Sequence, residues 1–232
     1  MLRTTQRVFP YLLASLTVIF LTLPSSGASK SDDEETIRNA ATILQGMVAS
    51  NDVPHSVLAK ADCLLILPSV KKFAVGIGGT GGRSPMTCRQ GSNFSGKWSP
   101  PAMFSVGGAS AGLQVGGKAT DVVVALMTPN AVDRVLNGKV KIGTDVSAAA
   151  GPGASAGTMG NVADMLTYSR SSGLFAGASI DGATLSPDTN ANERLYGKPV
   201  SAREIVSGSG PAATPAGASL VSVLNSKVGK HE

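Results

Sequence analysis

Residues 103–127 read MFSVGGASAGLQVGGKATDVVVALM. Short apolar runs are broken by Gly107-Gly108 and Gly116-Gly117, the punctuation of strands and turns rather than the 3.6-residue period of a helix. This stretch predicts strands over 103–106, 110–115 and 121–127. Upstream, Cys63-Leu64-Leu65-Ile66-Leu67 is a continuous apolar run stopped by Pro68, and strands over 74–78 and 86–89 follow it. Downstream, Thr128-Pro129 opens a short helix through Val132 and Leu136 that Asn137-Gly138 closes. Further strands are expected over 140–142, 145–150 and 174–180, and helices over 201–206 and from Thr214-Pro215 to Lys227. In 173–179, GLFAGAS, small residues recur on both faces, which lets a sheet curve tightly. The fold class is therefore α+β: a curved, largely antiparallel sheet, barrel-like or sandwich-like, with an N-terminal amphipathic helix and short C-terminal helices.

That first helix is announced by Ser31-Asp32-Asp33-Glu34, which reads as a capping box, and by the stripe Ile37, Ala41, Leu44, Met47/Val48. It is expected to end near Ser50-Asn51, with a shorter helix starting at Pro54. Ahead of it, residues 1–28 have the order of a secretory signal: Arg3 and Arg7, an apolar run over 8–23, then Ser26-Gly27-Ala28. The division is thus a signal peptide over 1–28 and a single domain over 29–232, exported to a periplasmic or extracellular location. The rival is a retained anchor, although Pro10 interrupts the run.

The 232 residues carry +5, which suggests nucleic acid or a membrane surface. Losing Arg3 and Arg7 leaves 18 basic residues against 15 acidic, so a general nucleic-acid binder is not expected. Seven aromatic residues beyond residue 28 are too few for the two girdles of an outer-membrane barrel. The two cysteines, Cys63 and Cys88, are an even number in an export-type chain and suit a disulfide; two buried thiols are the alternative.

Catalysis finds little support. The histidines are His55 and the penultimate His231, so a nucleophile–histidine pair has no good candidate, and two isolated cysteines do not make a zinc site. Residues 76–81, GIGGTG, match G-x-G-x-x-G, but Arg83-Ser84-Pro85 leads into a strand where a nucleotide loop requires a helix. Carboxylates are scattered without a pairing that would serve acid–base work. Neither a metal nor a cofactor is expected, and the chain reads as no enzyme.

The basic residues have more pattern. Lys71-Lys72 follow Pro68-Ser69-Val70 at a strand edge, Arg83 sits in the glycine segment, Arg89 ends the next strand, and Lys139 and Lys141 share a face at period two. Together with glycine-turn amides they suit a phosphate-binding surface; solvated edge lysines that block strand aggregation are the alternative.

The ordered set AKADCLLILPSVKK (59–72), Gly78-Gly79, Gly81-Gly82-Arg83, Trp98-Ser99-Pro100-Pro101, Gln114-Val115-Gly116-Gly117, Tyr168-Ser169-Arg170-Ser171-Ser172-Gly173, Asn192 and Tyr196-Gly197 resembles the SYLF domain, the lipid- and actin-binding module of yeast and animal endocytic proteins. The signal and cysteine pair look like its bacterial exported branch. The resemblance implies non-catalytic binding of anionic, phosphoinositide-like phospholipid headgroups at a membrane surface, with Lys71, Lys72, Arg83 and Arg170 as phosphate contacts. Arg170 joins them because it lies in a family-like segment and a guanidinium grips phosphate bidentately. Partners are anionic lipids and, in eukaryotic relatives, actin. The alternative is an exported structural or protein-interaction module.

Overall fold

The computed structural model describes residues 28–75, 77–111, 118–138, 140–141, 164–171 and 184–228. Helix α1 (Lys30–Ala49) comes first. Its cap lies two residues before the expected one: Ser29 accepts from the Asp32 N–H and the Asp32 side chain answers the Ser29 N–H. Both Ser-x-x-acid frames exist in the sequence; the one used points Asp33 inward. Ile37, Ala40, Leu44 and Met47 are fully buried along one stripe. Helix α2 (His55–Lys60) begins one residue after Pro54, which is its cap.

The strands are β1 (Cys63–Val75), β2 (Ile77–Cys88), β3 (Ala102–Ala111), β4 (Lys118–Leu126), β5 (Val140–Lys141), β6 (Met165–Ser171) and β7 (Thr184–Pro187). They form one curled antiparallel half-barrel sheet in the order β5-β7-β3-β2-β1-β4-β6. Among the described residues every named strand lies in this one sheet, the barrel-like form of the expectation. The strand expected over 103–106 and residues 110–111 of the one expected over 110–115 lie in one continuous β3, because Gly107 and Gly108 stay in the ladder opposite Gly81 and Thr80; residues 112–115 lie outside the described residues. The expected strands over 145–150 and 174–180 lie outside the described residues.

Helices cover both faces. Cys63, Leu65, Leu67, Met86, Phe104, Val122, Val124 and Leu126 pack with α3 (Pro129–Leu136) and α5 (Ala202–Ser207). Leu64, Ile66, Met103, Val123, Ala125 and Tyr168 pack with α1, α4 (Thr189–Tyr196) and α6 (Pro215–Lys227). Burial on both faces explains why CLLIL and VVVAL are unbroken apolar runs, where a one-sided antiparallel strand would alternate. Cys63 and Cys88 are ladder partners, both fully buried, and form the disulfide.

Candidate functional site

Beyond the packed helices, β1 and β2 run on toward residues 70–82. The change is made by a bulge. Leu67 stands opposite Val122 and Val70 opposite Thr120, so three steps of β1 span two of β4. Ser69 sits there at φ +49, and its N–H donates to Asp121 Oδ1 at 2.9 Å.

After the bulge Lys71 pairs with Ala119 and Gly81, and Lys72 with Lys118 and Thr80. Directly paired residues share a face, and Arg83, two residues from Gly81, reaches Asp33 of α1. Lys71 therefore lies on the α1 face, and Lys72 with Lys118 on the other. The ladder continues from Lys71 through Gly81, Gly107 and Thr184 to Lys141. Gly81 and Gly107 are exposed, and an added Cβ at either would meet nothing within 4 Å. A lysine position at each end thus brackets open backbone.

Two expectations change here. β1 is flanked by β2 and β4, so Lys71 and Lys72 are not on an edge strand and edge protection does not account for them; Lys141, on terminal strand β5, is in such a place. Arg89 is buried, with its guanidinium 4.5 Å from the Trp98 ring centroid. Burial draws its pKa down, opposed by the Asp62 charge.

Arg83 and Arg170 share the α1 face with Lys71, but each has a carboxylate partner. Arg83 and Arg194 both donate to Asp33, whose carboxylate is 0% exposed, Arg194 through Nε at 3.0 Å and Nη2 at 3.3 Å. Arg170 donates from Nε to Asp52 Oδ2 at 2.7 Å, and its Nη2 contacts Asp52, Ser50 Oγ and the Gly46 carbonyl, the last at 3.0 Å. It thus brings a positive charge to the last turn of α1, whose Gly46 carbonyl also accepts from the Ser50 N–H at 3.1 Å, and a cation suits that end of the helix dipole. Its Nη1 lies 3.1 Å from where a Cβ on Gly46 would stand. Burial alone raises the Asp52 carboxyl, but the Ser50 hydroxyl and Arg170 outweigh it and hold it below the ordinary 3.8.

The other motif residues hold the frame. Asn192 Oδ1 accepts from the Met103 N–H at 2.7 Å while its Nδ2 donates to the Met103 carbonyl at 3.2 Å. One helical turn on, Tyr196 Oη donates to the Pro101 carbonyl at 2.6 Å, and burial pushes its phenol pKa up. His55 is exposed. Among the described residues no group of three or more His, Cys, Asp or Glu is placed to hold a metal ion, and no helix is long and apolar enough to cross a membrane. The G-x-G-x-x-G segment continues into β2, with no helix at its end.

The site is thus a helix-clad curled sheet in which the buried Asp33 carboxylate holds Arg83 and Arg194, and the partly exposed Asp52 holds Arg170. Residues 107–227 match the Ysc84 family, described as Las17-binding protein actin regulator, and the chain belongs to that family, the SYLF family. It is similar to an SH3 domain-containing protein of Schizosaccharomyces pombe, 36% identical over 192 residues, covering 79% of this chain and 43% of that protein. It is also similar to LAS seventeen-binding protein 3 of Saccharomyces cerevisiae, 34% identical over 185 residues (74% and 39%), and to SH3 domain-containing YSC84-like protein 1 of Homo sapiens, 32% identical over 186 residues (78% and 53%). The chain spans about two-fifths to one half of the length of these relatives. No solved structure matches it.

Proposed function

We propose that the domain is a non-catalytic module that binds anionic phospholipid headgroups, phosphoinositides among them, with the end of the sheet carrying Lys71 and Lys72. The observation that supports this reading most is the placement of both lysines on an interior strand, where edge protection does not explain them, with Lys71 in line with the open backbone of Gly81 and Gly107. An ammonium group beside glycine backbone that no side chain covers suits a phosphate, whose oxygens can approach closely there. Arg83 and Arg170 serve as supporting contacts: a guanidinium has five donors, so one held by a carboxylate still presents N–H groups outward. The +3 charge left after loss of residues 1–28 is small, so attraction comes from local clustering. In this reading residues 1–28 are removed on export and the domain acts in the periplasm or outside the cell.

Co-sedimentation tests it, using neutral phosphatidylcholine vesicles, vesicles with added phosphatidylserine, and vesicles with added phosphatidylinositol phosphate. Binding to the anionic vesicles that weakens with salt is expected; equal binding to neutral vesicles, or none to any, contradicts it. A second reading, a protein-binding module, draws on the relatives whose names state Las17 binding. It takes precedence if the vesicle result is negative and a purified actin-regulatory partner is retained.

A further inference from the structure

Building on the lipid-binding reading above, we infer that Asp121 is a positioning residue for the basic end of the sheet: by accepting the Ser69 N–H it holds the bulge that decides which lysine shares a face with Arg83 and Arg170. Ahead of the bulge, Cys63, Leu65 and Leu67 lie on the α3/α5 face, and Leu64 and Ile66 on the α1 face. An uninterrupted strand would continue that alternation and bring Lys71 to the α3/α5 face. The single extra residue exchanges the faces of everything after it, so Lys71 lies opposite Gly81 on the α1 face and Lys72 opposite Lys118 on the other.

The exchange requires a support. At φ +49 Ser69 is in a left-handed conformation that residues other than Gly, Asn and Asp seldom adopt. A bulge also takes an N–H out of the ladder, leaving a donor that needs a partner. The Asp121 carboxylate supplies it at 2.9 Å, and a bond from backbone N–H to a carboxylate is of the strong, charge-assisted kind. Asp121 is also the ladder partner of Arg170, so the same residue joins the bulge to the strand that carries the α1 clamp.

As a bare negative charge, Asp121 opposes anion binding, and removing it would strengthen association. As a positioning residue, its removal weakens association. The opposite signs make the test sharp. In the chain from residue 29, wild type, Asp121→Ala and Asp121→Asn are compared by hydrogen exchange across residues 66–75 and by co-sedimentation with phosphatidylserine vesicles. Asp121→Ala is expected to speed exchange in that segment and, because neither Lys71 nor Lys72 is then held in one register, to weaken vesicle binding about fivefold, the worth of one basic residue near an anionic surface. Asp121→Asn retains an acceptor without the charge and is expected to keep wild-type exchange and to bind at least as well as wild type. Unchanged exchange or tighter binding in Asp121→Ala, or loss of either property in Asp121→Asn, overturns the inference. If Asp121→Ala does not fold, residue-resolved exchange of the Ser69 amide in wild type decides: protection is expected, and exchange at the intrinsic rate overturns the inference. If wild type binds no vesicles, the lipid reading falls, while the exchange comparison still decides what holds the bulge.

Discussion

Asp33 and Arg194 are 161 residues apart in sequence and 3.0 Å apart in the fold, Arg194 Nε donating to Asp33 Oδ2. Arg83 donates to the other oxygen, so one buried carboxylate ties α1 to both α4 and β2. An acid of this kind is tolerated only when its charge is answered in place.

Replacing Asp33 by alanine is therefore expected to lower stability by about 3 kcal/mol. That is the lower end of the cost of breaking a buried pair, because Arg83 and Arg194 keep 27% and 31% of their side-chain exposure and recover some hydration. Urea unfolding measures it. A midpoint equal to wild type contradicts the clamp.

The Asp52–Arg170 clamp has a pH signature. The Asp52 carboxyl is held below its ordinary value, so its contribution is complete above the unfolded value of about 3.9 and is lost as pH falls through the folded value. Hydrogen exchange of residues 44–52 is expected to accelerate in wild type as pH falls below the ordinary carboxylate value of about 3.9, after correction for intrinsic rates. Asp52→Asn, lacking the titrating group, should show a smaller change. An equal change in both assigns the effect to another group.

Cutting the Cys63–Cys88 bridge reopens a loop of sequence separation 25, worth about 3 kcal/mol in the loop-entropy model. The Cys63→Ala/Cys88→Ala variant is expected to unfold at correspondingly lower urea. Mass measurement after thiol blocking without reductant should find no labelled cysteine in wild type. Two labelled cysteines would contradict the bridge.

Elements with strong local signals were legible in the sequence: the stripe of α1, the Thr128-Pro129 and Thr214-Pro215 helix starts, and the apolar runs of β1 and β4. Helix α4 was not, because TNANERLY has little apolar content and forms by seating Ala191, Asn192 and Leu195 under the sheet. In sequence Asp33 is one of several acids at the start of α1, since nothing local reveals that Arg83 and Arg194 arrive from 50 and 161 residues away. The basic residues were found by type. Their faces were hidden by one bulge residue, for which Ser69 gives no Gly or Asn signal.

The most direct measurement is the affinity of folded wild type and Lys71→Glu/Lys72→Glu for phosphatidylserine vesicles at low salt, with circular dichroism confirming both folds. Each basic residue near an anionic surface is worth about 1 kcal/mol, and each reversal also adds repulsion. The double variant is therefore expected to bind more than tenfold more weakly, about 1.4 kcal/mol being one factor of ten. A folded double variant that binds as tightly as wild type contradicts the account.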